Sequence, residues 1–297
     1  MTLVELHPMV AGECLNLAAL TERGGRWKVR AYPAGFALLR HPQAGYALFD
    51  TGYSQGVLSA MRRWPGVLYG LVTPVRLQPG QTAREQLAAL GMAAGDLKTV
   101  IVSHLHADHV GALRDFPAAR FVLDPEAYPP LRHLRGLRAA RRAYLPELLP
   151  DDFETRCEAL RFSPAPAGLH PFTEAADVFS DGSTYAVRVP GHAPGMTALI
   201  VKTGAAADTP AGGLTGDGSG LTLLASDAAW SVRALRQNMG VHPLARFAFW
   251  DVRQEARSRK ALHTWLQSHP LTRVIVSHDL PETGLPEARL PEPEHDS

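Results

Sequence analysis

The chain reads as an α/β protein, and three observations lead there. Short apolar runs of strand length recur at 36–40, 46–49, 100–102, 121–123, 185–189, 198–201, 221–226 and 273–276. Stretches with helical spacing lie between them, at 54–63, 82–90 and 253–266. Several runs end not in packing residues but in Asp50, His104, His192, Asp227 and His278 or their near neighbours.

Bulk properties narrow the class further. A length of 297 residues fits one large domain or about two small ones, and a hydrophobic fraction of 45% supports a large core. The net charge of +1 gives no global attraction to nucleic acid or membrane. No run approaches the ~18 apolar residues that span a bilayer. The N-terminus lacks a basic segment followed by an apolar run, so no secretory signal is expected. Cys14 and Cys157, far apart, read as reduced thiols of a cytoplasmic protein.

In chain order, the runs 36–40 and 46–49 flank His41-Pro42-Gln43-Ala44-Gly45, which is turn chemistry, so a hairpin is expected. The second run ends in Asp50-Thr51-Gly52. Helix 54–63 places Val57, Leu58 and Met61 on one face. Residues 64–80 show no period and read as a loop near a pocket mouth. Thr82 and Glu85 form a capping-box pattern, Leu87, Leu90 and Met92 would face a sheet, and Gly91 ends the helix.

Strand 100–102 then delivers His104-Leu105-His106-Ala107-Asp108-His109. Three imidazoles and a carboxylate are too dense for a hydrophobic core, where each ring without a partner costs about 1–3 kcal/mol. These donors suit borderline first-row metals. His104 and His106 flank Leu105 and can point the same way, while Asp108 and His109 lie where a helix can begin. The spacing therefore suggests two neighbouring half-sites. The plain alternative is a surface loop that happens to hold histidines.

Beyond it, Arg132, Arg135, Arg138, Arg141 and Arg142 recur at roughly helical spacing beside Leu131, Leu134 and Leu137. A helical insertion over 125–161 with a basic stripe is expected, either as a solvated face or as a lid or homodimer contact. Acids at Glu147, Asp151, Asp152 and Glu154 argue against a nucleic-acid site.

In the second half, strand 185–189 runs into Pro190-Gly191-His192-Ala193-Pro194-Gly195, which forces a turn. Residues 204–220 read as a long mobile hairpin loop. Strand 221–226 ends at Asp227, whose simplest structural role is to cap a helix over 228–235. Helix 253–266 carries Ala256, Leu262 and Leu266 on its apolar side, and strand 273–276 ends in Ser277-His278-Asp279. The chain is expected to form a single domain over 1–285, with a loose Pro- and Glu-rich tail over 286–297.

His-x-His-x-Asp-His behind a strand resembles the signature of the metallo-β-lactamase superfamily, and Gly191-His192-Ala193-Pro194-Gly195 resembles the family's Gly-His-x-Pro-Gly turn. The resemblance spans about residues 30–280. It implies an αββα sandwich whose metals sit at one edge, held by loops at strand ends. It assigns His104, His106 and His192 to one metal, Asp108, His109 and His278 to a second, and Asp227 as the bridge. It puts Asp50 behind a ligand, accepting the free N–H of a histidine. Two zinc ions are implied, although iron, manganese or cobalt suit such N/O donors too.

The reaction implied is metal-assisted hydrolysis of a small molecule, with Asp108 guiding a proton to the leaving group. Within the superfamily the chain is most similar to the N-acyl homoserine lactonase branch, which implies attack on a lactone or ester carbonyl. Two residues depart from the pattern. Met196 stands where many relatives carry histidine. Trp230 replaces a tyrosine usual three residues after the bridging aspartate, near the substrate carbonyl; indole donates a hydrogen bond but cannot yield a proton as a phenol does. The alternatives are hydrolysis of phosphotriesters, thioesters or β-lactams, and a non-catalytic metal-binding module. The complete ligand set weighs against the last.

Overall fold

A computed structural model describes residues 2–204 and 220–279. Thirteen strands form two sheets, in chain order. The first sheet takes β1 (Glu5–Leu17), β2 (Val29–His41), β3 (Gly45–Phe49), β4 (Val75–Arg76), β5 (Thr99–Ile101), β6 (Arg120–Leu123) and β7 (Cys157–Ala159). The second takes β8 (Ser163–Pro164), β9 (Glu174–Asp177), β10 (Thr184–Arg188), β11 (Thr197–Thr203), β12 (Gly220–Leu224) and β13 (Arg273–Ile275). Strand order is β4-β1-β2-β3-β5-β6-β7 in one sheet and β13-β12-β11-β10-β9-β8 in the other. From β3 to β7 the pairing is parallel, as helical crossovers require.

Period-two alternation explains the layers. Phe36 and Leu38 of β2 face helices, whereas Ala37 and Leu39 meet Leu199 and Val201 of β11 between the sheets. Beyond the second sheet, Leu262, Trp265 and Leu266 of helix Val252–Ser268 seal the far side. The stack is helix, sheet, sheet, helix: the expected αββα sandwich.

Side-chain caps set several helix starts. Ser54 accepts the Gly56 N–H at helix Gln55–Ala60. Thr82 and Glu85 form the reciprocal capping box of helix Ala83–Ala89. Thr82→Ala is expected to lower stability by about 1 kcal/mol, read as a shift in the urea midpoint.

Four expectations need correction. Residues 64–80 are not a plain loop: they hold helix Gly66–Val72 and β4, the latter pairing with β1 as the edge strand of the first sheet. The basic-striped helix over 131–142 shrinks to Gly136–Ala140. Gly136 has φ +61 and Arg135 is extended, so no helix runs through them. The rest of 125–161 is short helical turns that end in β7, a strand of the first sheet. Asp227 does not cap the next helix; Ser231 does, accepting the Ala234 N–H. On helix Val252–Ser268, Ala256 is exposed, and the buried stripe instead includes an ion pair, Arg259–Glu255 at 2.9 Å. Residues 205–219 of the hairpin loop read over 204–220, and the tail read over 286–297, lie outside the described residues. Both cysteines are free thiols; Cys14 is buried, and burial raises its pKa.

Candidate metal centre

Five strand ends meet at one edge of the sandwich. β3 delivers Asp50, β5 delivers residues 103–109, β10 leads to His192, β12 to Asp227 and β13 to His278. Every one of these side chains is buried. Their donor atoms form two groups, each within 4.8 Å: His104, His106, His192 and Asp227, and Asp108, His109, Asp227 and His278. All seven residues singled out in the sequence are thus brought together, and Asp227 belongs to both groups.

The loop after β5 explains the split. His104 and His106 both precede the helical turn, His106 on extended backbone, and their ring centres lie 4.4 Å apart. The chain then turns into the short helix Ala107–Val110, which swings Asp108 and His109 to the second group. His192 approaches the first group on its tight turn, its Nε2 lying 3.1 Å from His106 Nδ1. Asp108 Oδ2 lies 3.6 Å from both His109 Nε2 and His278 Nε2.

Hydrogen bonds at the backs of the rings set their orientation. His109 Nδ1–H donates to Asp50 Oδ2 at 2.8 Å, and His278 Nδ1–H donates to the Pro33 carbonyl at 2.9 Å. Both leave Nε2 with a lone pair facing the cluster. Asp50, held at φ +62, also accepts the Ser103 N–H at 2.8 Å and the Ser103 hydroxyl at 2.7 Å. Ser226 donates to Ser103 at 2.8 Å, and Ser103 lies 3.0 Å from His104 Nδ1.

Electrostatics at the site are those of buried donors crowded together. Burial, reinforced by neighbouring imidazoles, holds His104 and His106 well below the usual histidine range. Burial also pulls on His109 and His278, but Asp227 and Asp108 outweigh it and raise both. Burial alone would raise Asp227; His278 and His109 overcome it, and its pKa falls well below the ordinary value. His104 Nε2, His109 Nε2, His192 Nδ1 and Asp227 Oδ1 are buried without a hydrogen-bond partner. His109 Nε2 lies 3.2 Å from Asp227 Oδ1 but out of line for a hydrogen bond. Such groups are costly to leave unsatisfied, and a pair of divalent cations would satisfy them. The donor set, imidazole nitrogen with carboxylate oxygen, fits such ions.

Trp230 stacks on His278 at 4.2 Å and meets Tyr32 edge-on at 5.1 Å. It lines a cavity that reaches His278, so the residue read as a pocket candidate does sit at the pocket wall. Sequence reasoning missed Ser103, Ser226, Tyr32 and Phe249, whose ring meets His192 at 5.3 Å. Ser103 and Ser226 carry a usable signal, since each lies one position before a donor at a strand end. The segment 125–161 does reach the site's flank: Arg142 donates to the Phe249 carbonyl at 2.8 Å and covers the Trp250 ring.

Comparison with known proteins agrees with this geometry. Residues 36–204 match the family model of the metallo-beta-lactamase superfamily. N-acyl homoserine lactonase AttM of Agrobacterium fabrum is 28% identical over 252 residues, covering 83% of this chain and 82% of that protein. AttM of Azorhizobium caulinodans is 31% identical over 176 residues, covering 57% of this chain and 60% of that protein. Among solved structures, a mutant of B. thuringiensis AiiA with N-decanoyl-L-homoserine bound at its active site overlays with a TM-score of 0.71. It is 19% identical, with 94% of this chain and 95% of that chain covered. AidC, a dizinc quorum-quenching lactonase in complex with a product, overlays at 0.57 with 14% identity, covering 93% and 87% of the two chains. These overlays establish the fold. By the match over residues 36–204, more than half of its length, the chain belongs to the metallo-beta-lactamase superfamily.

Proposed function

We propose that the protein is a dinuclear zinc hydrolase that opens lactones, with N-acyl homoserine lactones as the substrate class. The observation that carries this reading is the pair of buried donor groups sharing Asp227, beside a cavity open at His278. The named relatives, which are N-acyl homoserine lactonases, support the choice of substrate.

In this reading His104, His106 and His192 would hold one cation, Asp108, His109 and His278 would hold the other, and Asp227, which belongs to both donor groups, would serve each. When bound, the cations supply Lewis acidity and lower the pKa of a shared water. The chain's own residues do the remainder. Asp108 offers a carboxylate oxygen that can carry a proton towards the leaving alkoxide. Asp50 and Ser103 keep His109 and His104 from turning away. Trp230 packs over His278 and walls the cavity, so the tyrosine's proton is not available here and Asp108 carries that task alone. Free thiols at Cys14 and Cys157 suit a reducing, cytoplasmic compartment.

The test is a rate panel on zinc-loaded protein, comparing N-acyl homoserine lactones, simple γ- and δ-lactones, an aryl ester, a phosphotriester and a thioester. The lactones are expected to lead. Preference for any other class, with no lactone opened, would refute the substrate assignment while leaving the dinuclear hydrolase. The support behind the ligands has its own prediction: Asp50→Ala weakens zinc binding by about 10–100-fold, read by competition with a chromogenic chelator.

A further inference from the structure

A cavity of about 680 Å³ opens beside the metal centre, with His278 and Trp230 at its inner end. A line of contacts leads outward from it. Trp230 stacks on His278 at 4.2 Å, Tyr32 meets Trp230 at 5.1 Å, and the Arg30 guanidinium lies 5.8 Å from the Tyr32 ring centre. Strand alternation sends Arg30 and Tyr32 to the same side of β2. Lys28 lies two positions before Arg30, and Arg26 two before that; all three line the cavity.

Two of the three acids that line the same cavity are paired with cations. Glu13 faces Arg76 at 3.5 Å, and Glu22 faces Arg233 at 2.5 Å. Asp279 accepts the Val232 N–H at 2.9 Å. Among the described residues, Arg26, Lys28 and Arg30 form no ion pair. Here three exposed cations without an acidic partner line one cavity that also reaches His278. With Glu13 and Glu22 paired, the lining carries an excess of positive charge, and such an excess focuses its field on an incoming anion. A simple alkanoyl arm would gain little from such a wall, whereas a terminal anion would meet charge-assisted donors.

Resting on the lactonase reading above, we propose that the natural substrate is a lactone whose acyl arm ends in a carboxylate, held by Arg26, Lys28 and Arg30 at the outer end of this cavity. The residues choose among substrates and take no part in breaking the ester bond.

The experiment compares two homoserine lactones that differ only at the arm's end: an adipoyl arm with its free carboxylate, and the same arm as its methyl ester. Wild-type kcat/KM is expected to favour the carboxylate by about tenfold, the size of one charge-assisted contact. The preference should shrink as salt rises, because these side chains are exposed. In Lys28→Glu/Arg30→Glu the order should invert, with an ammonium-ended arm now preferred; a merely damaged fold would not produce that inversion. Equal or lower rates on the carboxylate in the wild type, or a ratio untouched by the charge reversal, would overturn the proposal. If no homoserine lactone is opened, the lactonase reading fails and the cation cluster is judged by calorimetry with adipic acid monoamide. Binding weakened about tenfold by the reversal supports the anion site, and unchanged binding rejects it.

Discussion

Asp108→Asn is expected to lower kcat/KM on a lactone by about 10²–10⁴-fold, the range associated with removing a positioned proton carrier. The substitution is nearly isosteric. Asp108 is buried within a cluster whose packing the amide can keep, and its Oδ2 sits 3.6 Å from two imidazole nitrogens. The amide oxygen can still act as a donor atom, but it has neither the negative charge nor the basicity to take a proton. The thermal midpoint should therefore move little while the rate collapses, and the loss should fall on kcat more than on KM. Paired melting and steady-state measurements check this. A variant with near wild-type kcat would remove Asp108 from the chemistry.

Gly191→Ala is expected to cost about 3 kcal/mol or more and to take activity with it. Gly191 holds φ +124, a region L residues rarely adopt, and an added Cβ would lie 2.0 Å from the Glu255 backbone nitrogen. That nitrogen belongs to helix Val252–Ser268, whose first turn packs directly on the His192 loop. The Asp251 N–H donates to the Gly191 carbonyl at 2.8 Å, and the Trp250 N–H donates to the His192 carbonyl at 3.1 Å. Pushing the turn off the helix therefore displaces a metal donor. Denaturant unfolding should show the loss, whereas Gly95→Ala, with nothing within 4 Å of its added Cβ, should stay near wild type.

What was legible in the sequence was what is local. The six residues from His104 to His109 carry their own geometry, because extended backbone and then a helical turn separate the donors into two sets. The capping box at Thr82 and Glu85 is likewise a three-residue device. The long strand β1 was harder to read. Its alternation is broken by Pro8 and by a bulge between Val10 and Glu13, so no clean period survives. The helix Gly66–Val72 is buried at Gly66 and Tyr69 but exposes Leu71 and Val72, an arrangement without an amphipathic signature. The arginine stripe over 131–142 showed the opposite failure: a helical period was present, but Gly136 breaks the helix. The Ser226–Ser103 hydroxyl bridge joins residues 123 positions apart; each serine precedes a donor at a strand end, but no local pattern pairs the two. It exists because β5 and β12, in different sheets, end at the same edge. For the same reason the cations at Arg26, Lys28 and Arg30 meant nothing until the fold placed all three in the lining of a cavity reaching His278.

The most direct test is a zinc titration of chelator-stripped protein, with bound zinc and N-acyl homoserine lactone hydrolysis followed in the same samples. Two buried donor groups joined through Asp227 predict that hydrolysis rises with bound zinc and levels off at two equivalents per chain. Full activity in the stripped protein, or saturation with only one zinc bound, would contradict a dinuclear lactonase.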